Sequence, residues 1–190
     1  MGNNAEDGGQ ANPDASVHEA HMRAGQAVVC LTLFGARVIK KLELTGELDG
    51  DTGFETYSRL PVPLTSRPNS NRRGDERKPI ATEAIVDAHG VLAYAGVAAG
   101  RAWLAGRGEA DKIDPRTAQP TARESLAKLA SSIGVERPSD LFYEEYFDEA
   151  ARLLEGQWPV VQRVVEGLLT HRSLNGNRVD ALIIGEELGG

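Results

Sequence analysis

Three residues near the start of the chain, His18, Glu19 and His21, are of the types that do hydrolytic metal chemistry. In an H-E-x-x-H run, two imidazoles one helical turn apart aim their nitrogens at one zinc ion, and the glutamate acts as base to the bound water. His18-Glu19-Ala20 begins such a run, but the residue four places after His18 is Met22. His18 and His21 are three apart and share a helix face, which allows a weak two-histidine metal site. The simpler expectation is that Glu19 caps the helix, because Ser16-Val17-His18-Glu19 has the form of a capping box, and that both imidazoles are solvated. On that expectation the first helix starts near Ser16.

The elements that must position these groups follow from periodicity. From Met22 to Leu33 the chain turns almost wholly apolar after Gly25, and Ala20, Ala24, Ala27, Leu31 and Phe34 recur at helical spacing. This predicts a helix with a buried C-terminal half, ended by Gly35. Cys30 on that half reads as a small buried hydrophobe. Val38 to Leu44 has strand character. Gly46 to Gly53 reads as a turn, and Phe54 to Tyr57 as a returning strand. Pro61 to Lys78 reads as a flexible loop, with Pro61, Pro63 and Pro68 among Arg67, Arg72, Arg73, Arg77 and Lys78. It is either a basic arm for an acidic partner or a solvated loop diluted by Asp75 and Glu76. A long helix is expected over Ala81 to Gly106; Asp87, His89, Arg101 and its glycines argue against a membrane span. Thr121-Ala122-Arg123-Glu124 is a second capping box, leading a short helix from Ser125 to Ser132 that Gly134 stops. Ser139-Asp140 is expected to cap a further helix that Pro159 kinks or restarts. Asn175-Gly176-Asn177 reads as a turn before a closing helix from Arg178 to Leu188. The fold class expected is α+β, mainly α-helical: a helix, a small β-hairpin, then a helical bundle. Residues 1–15 are expected to form a disordered leader and residues 16–188 a single domain, with the loop at 61–78.

The stretch Met22-Arg23-Ala24-Gly25-Gln26-Ala27-Val28-Val29 resembles the active-site helix of FtsH-type zinc metalloproteases, H-E-A-G-H-A-V-V. Ala24, Gly25, Ala27, Val28 and Val29 match; Met22, Arg23 and Gln26 stand at the histidine, glutamate and histidine positions. Ala95-Gly96-Val97-Ala98-Ala99-Gly100 is similar to the family's A-G-R-A-A-E run, with Val97 for Arg and Gly100 for Glu. Gly53-Phe54 fits the start of the family's second ribbon strand. The resemblance implies a third zinc ligand at the start of the helix near Leu126, where Ser125 stands, with Asp111, Asp114 and Glu124 nearby. Thioether and amide groups are poor zinc ligands, and a guanidinium neither takes a proton from water nor tolerates a dication beside it. The resemblance therefore implies a degenerate site at Met22, Arg23, Gln26 and Ser125, with Arg23 paired to a carboxylate such as Glu83 or Asp87.

A net charge of −7 argues against a general nucleic-acid binder. A single cysteine allows no disulfide within the chain, and the cytoplasm is the simplest compartment. No G-x-x-x-x-G-K run occurs, so the chain as it stands carries no ATPase module of the kind fused to FtsH peptidases. The expected function is a non-catalytic relative of the peptidase domain that acts as a binding or scaffold protein. No cofactor, nucleic acid or membrane is expected; an unidentified protein partner is, and a homo-oligomer is allowed. The alternative is a zinc metallopeptidase or other metalloenzyme with a relocated site at His18, His21 and His89, completed by an acid from the 111–124 region.

Overall fold

The computed structural model describes residues 13–46, 82–118 and 120–185. The expected Phe54–Tyr57 strand, the 61–78 loop, and most of both the 1–15 leader and the Gly46–Gly53 turn lie outside them. The described residues are mainly helical with one small sheet. In order come α1 (Pro13–Phe34), β1 (Lys41–Glu43), α2 (Thr82–Ala105), a 3-10 turn (Ala110–Lys112), α3 (Pro120–Ser132), α4 (Glu144–His171), β2 (Ser173–Asn175) and α5 (Gly176–Ile184). Among the described residues no helix is long and apolar enough to cross a membrane.

Two helices form the centre. α1 is buried on every side from Glu19 to Cys30, and α2 from Ala88 to Gly100. They pack against each other, and α4 covers both. The contacts run in opposite senses along the chain. Gly25 lies against Ala95 and Ala99, while Phe34 meets His89 with ring centroids 5.0 Å apart. The pair is therefore antiparallel. The small residues of α2 serve this close packing. A Cβ on Gly25 would overlap the Cβ of Ala99 and lie 3.3 Å from the Ala95 carbonyl oxygen and 3.4 Å from Leu154 Cδ2. Bulk at any of these positions would push the helix axes apart.

The termini differ from expectation in instructive ways. α1 begins at Pro13, not near Ser16; proline suits a first turn because its missing N–H has no partner to lose there. Glu19 is thereby left inside the helix and makes no capping box. The C-terminal stop is as expected: Gly35 is left-handed (φ 85°), and its N–H donates to the Leu31 carbonyl at 2.8 Å. α4 starts at Glu144, later than Ser139-Asp140, because the residues between pack instead of coiling. Tyr143 donates its hydroxyl to the Pro138 carbonyl at 2.7 Å, and its N–H reaches the Tyr94 hydroxyl at 3.4 Å. Pro159 neither restarts nor ends α4. It is exposed, as is Glu155 one turn earlier, so the carbonyl it leaves unbonded can be taken by water. Asn175 is not a mere turn residue: its side chain accepts from the Arg178 N–H at 3.0 Å and caps α5, which runs from Gly176 to Ile184 rather than from Arg178 to Leu188.

β1 does find a partner, but a distant one. It pairs antiparallel with β2, Leu42 opposite Leu174, Lys41 opposite Asn175 and Glu43 opposite Ser173. Leu42 and Leu174 are both buried. Gly176 lets the end of β2 close on β1, since a Cβ there would overlap the Ile39 carbonyl oxygen.

Two glycines separate packing from helix propensity. Gly25→Ala gains about 1 kcal/mol of helix propensity but overpacks a site with no slack, at a cost of about 1–3 kcal/mol. It should be destabilising in a urea melt. A Cβ on Gly156 would meet nothing within 4 Å beyond its own stretch of helix backbone. Gly156→Ala should therefore raise the same midpoint by the equivalent of about 0.8–1.0 kcal/mol. Equal shifts from the two would refute the close-approach account.

Candidate functional site

Met22, Arg23 and Gln26 are all buried in the middle of α1. Arg23 is only 9 % exposed and Glu19 2 %. Their placement on one face follows from the four-residue step between them. Arg23 Nη2 lies 3.4 Å from Glu19 Oε1 and donates to Thr45 Oγ1 at 3.2 Å. Glu19 in turn accepts from the Thr45 N–H at 2.7 Å, the Thr45 hydroxyl at 3.0 Å and the Gly46 N–H at 3.0 Å. This carboxylate does not cap its own helix; it ties α1 to the segment leaving β1.

The expected partners of Arg23 are elsewhere. Glu83 is exposed. Asp87 accepts the Tyr146 hydroxyl at 2.6 Å and Arg137 at 3.4 Å. The antiparallel pairing explains the miss: the start of α2 lies beside the end of α1, eleven residues and about 16 Å of helix rise beyond Arg23. Burial, with the Asp87 carboxylate accepting from it, pushes the Tyr146 hydroxyl up to about 12. Ser125 is half-buried on α3, which packs against α2, whereas α1 packs chiefly against α2 and α4.

Of the two α1 histidines, His21 is buried and His18 half-buried. His18 and His21 both stack on Trp103 of α2, with centroids 5.4 and 5.3 Å away, and His21 also stacks on Trp158 of α4 at 5.8 Å. His21 Nδ1–H donates to the Val17 carbonyl at 2.8 Å, so Nε2 is the acceptor and takes the Gln162 amide at 3.1 Å. Both ring nitrogens of His21 are thus engaged. His18 Nε2 is buried against Gly100, where a Cβ would lie 2.6 Å away. Burial lowers the pKa of both imidazoles from 6.5; for His18 the neighbouring His21 adds to the effect, and for His21 the bonds to Val17 and Gln162 partly oppose it. The groove here, about 500 Å³, is lined by His21, Trp103, Trp158, Gln162, Arg107 and Leu169 among others.

His89 does not join them. It packs on Phe34, thirteen residues and about 20 Å of helix rise from His21. Among the described residues no three His, Cys, Asp or Glu side chains converge to hold a metal. The donor set at Met22, Arg23 and Gln26 does not fit zinc either: a thioether and an amide are weak ligands, and the guanidinium is a fixed positive charge. Asp111 and Asp114 line a different cavity, of about 400 Å³, with Arg101 and Arg116. Cys30 is fully buried, as its apolar setting implied.

Sequence reasoning missed Thr45, Trp103, Trp158 and Gln162. Nothing local marks Thr45. The tryptophans carried a signal, being the chain's only two, each on an expected helix. No family model matches this chain, and no curated protein matches it in sequence.

The ion pair is asymmetric. Removing Glu19 strands a buried guanidinium and unbinds two backbone N–H groups. Removing Arg23 leaves Glu19 with three donors. Glu19→Ala should therefore cost about 3–5 kcal/mol, and Arg23→Met only about 1 kcal/mol, in matched denaturant titrations. The reverse order would show that Arg23, not Glu19, is the hub.

Proposed function

We propose that this chain is a non-catalytic relative of the FtsH-type peptidase domain, acting as a binding or scaffold protein. The observation that carries the reading is the buried Arg23–Glu19 pair. On the resemblance in α1, Arg23 stands where the family has its general base, and here a permanent cation is held in place by a carboxylate one turn away. Such a pair is a structural substitute: it neutralises the charge that the helix face must bury and leaves no base to activate water.

Two further features support the reading. Gly25 and the Ala95–Gly100 run provide the close helix contact that the resemblance requires, while Met22, Arg23 and Gln26 supply no ligand set. The groove bordered by Trp103, Trp158 and Leu169 offers apolar surface of the kind that anchors a protein partner, with Arg107, Gln162 and Glu166 able to orient it. A relocated metal centre would need His89 beside His18 and His21, and antiparallel packing of α1 on α2 keeps them at opposite ends.

The test is metal content together with proteolysis. The purified chain, loaded with zinc and dialysed, should retain far less than one zinc per molecule and should not cleave casein with or without added zinc. One tightly held zinc per chain, lost in His18→Ala or His21→Ala, or metal-dependent cleavage, would overturn the proposal.

A further inference from the structure

We propose that His18 and His21 make the junction of α1, α2 and α4 acid-sensitive: while both imidazoles are neutral the first turns of α1 are held on Trp103 and Trp158, and protonation releases them. The inference does not depend on the reading of function above.

The geometry leaves no room for a second proton on either ring. Both imidazoles stack on the one indole of Trp103, at interplanar angles of 19° and 25°. The Arg107 guanidinium already lies over that indole, 4.9 Å from its centroid. Protonation would gather three cations around one aromatic ring. His18 Nε2 is buried without a hydrogen-bond partner and packs against Gly100, so a proton there would be an N–H with no acceptor. At His21, Nδ1–H is committed to Val17, and Nε2 receives the Gln162 amide. A second proton sets N–H against N–H until that amide turns over.

Among the described residues no carboxylate is placed to absorb the charge. On α1, Glu19 is bound to Arg23, Thr45 and Gly46, and Asp14 is exposed and paired with Arg107 at 3.3 Å. After α2, Glu109 pairs with Arg107 and Lys112. From α4, Gln162 is neutral, and Glu166, an exposed residue, lines the same groove as His21 without bonding to it. The lowered pKa of both rings agrees with this arrangement. A histidine whose folded pKa lies below its unfolded value favours folding fully above the unfolded value, here 6.5. That contribution is lost as the pH falls through the folded pKa, because the released ring binds the proton more readily.

The chain's two tryptophans are both in this junction, so intrinsic emission reads it without labels. The full chain is titrated from about pH 7.5 to about pH 5. Expected is a quench and red shift of emission that begins below about pH 6.5, while far-UV helicity is largely kept. The step should be lost in the His18→Leu/His21→Phe double variant, which keeps apolar bulk on the indoles. In the unmodified chain, NMR of the imidazole rings provides a second readout that does not require the variant to fold. His18 and His21 should titrate below about 6.5, and hydrogen exchange of the amides at 17–23, corrected for its intrinsic pH dependence, should accelerate in step. Unchanged emission, the same step in a folded double variant, either ring titrating at or above about 6.5, or collapse of all helicity in the same step would overturn the proposal.

Discussion

The contact on which the structure depends is the approach of α1 to α2 at Gly25 and Ala99. There is no side-chain layer between the two backbones at that point, so the helices meet closer than side chains on both would allow. Everything else is arranged around that line. α4 can reach both helices because they are close, and Leu154 packs into the notch beside Gly25. The antiparallel sense then fixes which residues can meet: the start of α1 with the end of α2, and the end of α1 with the start of α2.

That constraint also explains the polar contents of the core. Two helices buried on all sides must accommodate whatever polar residues fall within them. α1 contributes Glu19, His21, Arg23 and Gln26 to the interior, and α2 contributes His89. Burying a charge alone is costly, so Glu19 and Arg23 are paired and the carboxylate gathers two backbone N–H groups and a hydroxyl. His18 and His21 stack on indoles, where burial favours their neutral form. Both solutions tie the first half of α1 to its surroundings, one through the exit of β1 and the other through α2 and α4.

The small sheet illustrates how local signals and long-range topology divide the work. The alternation around Leu42 marks a strand, and Leu42 is buried between exposed Lys41 and Glu43. Its partner Leu174 follows α4, more than a hundred residues later. The three-residue run at Ser173 is too short to announce itself, and the left-handed Arg172 that turns the chain into it is not a residue type that favours such a turn.

The sequence alone determined the helical nature of the chain, the helix over 82–105 almost to its ends, the stop at Gly35 and the burial of Cys30. These depend on periodicity, on residue size and on the conformational freedom of glycine, all of which are local. It also grouped Met22, Arg23 and Gln26 by resemblance, and put His18 and His21 on one face of the same helix. Tertiary structure alone decided what those groups touch. Arg23 pairs with Glu19 and not with Glu83 or Asp87 because α2 runs antiparallel to α1. Glu19 binds Thr45 and Gly46 because β1 returns past the start of α1. The histidines meet Trp103 and Trp158 because three helices converge there. Partner choice across separate elements depends on their relative direction and offset, and neither quantity is written in the spacing of residues along one helix.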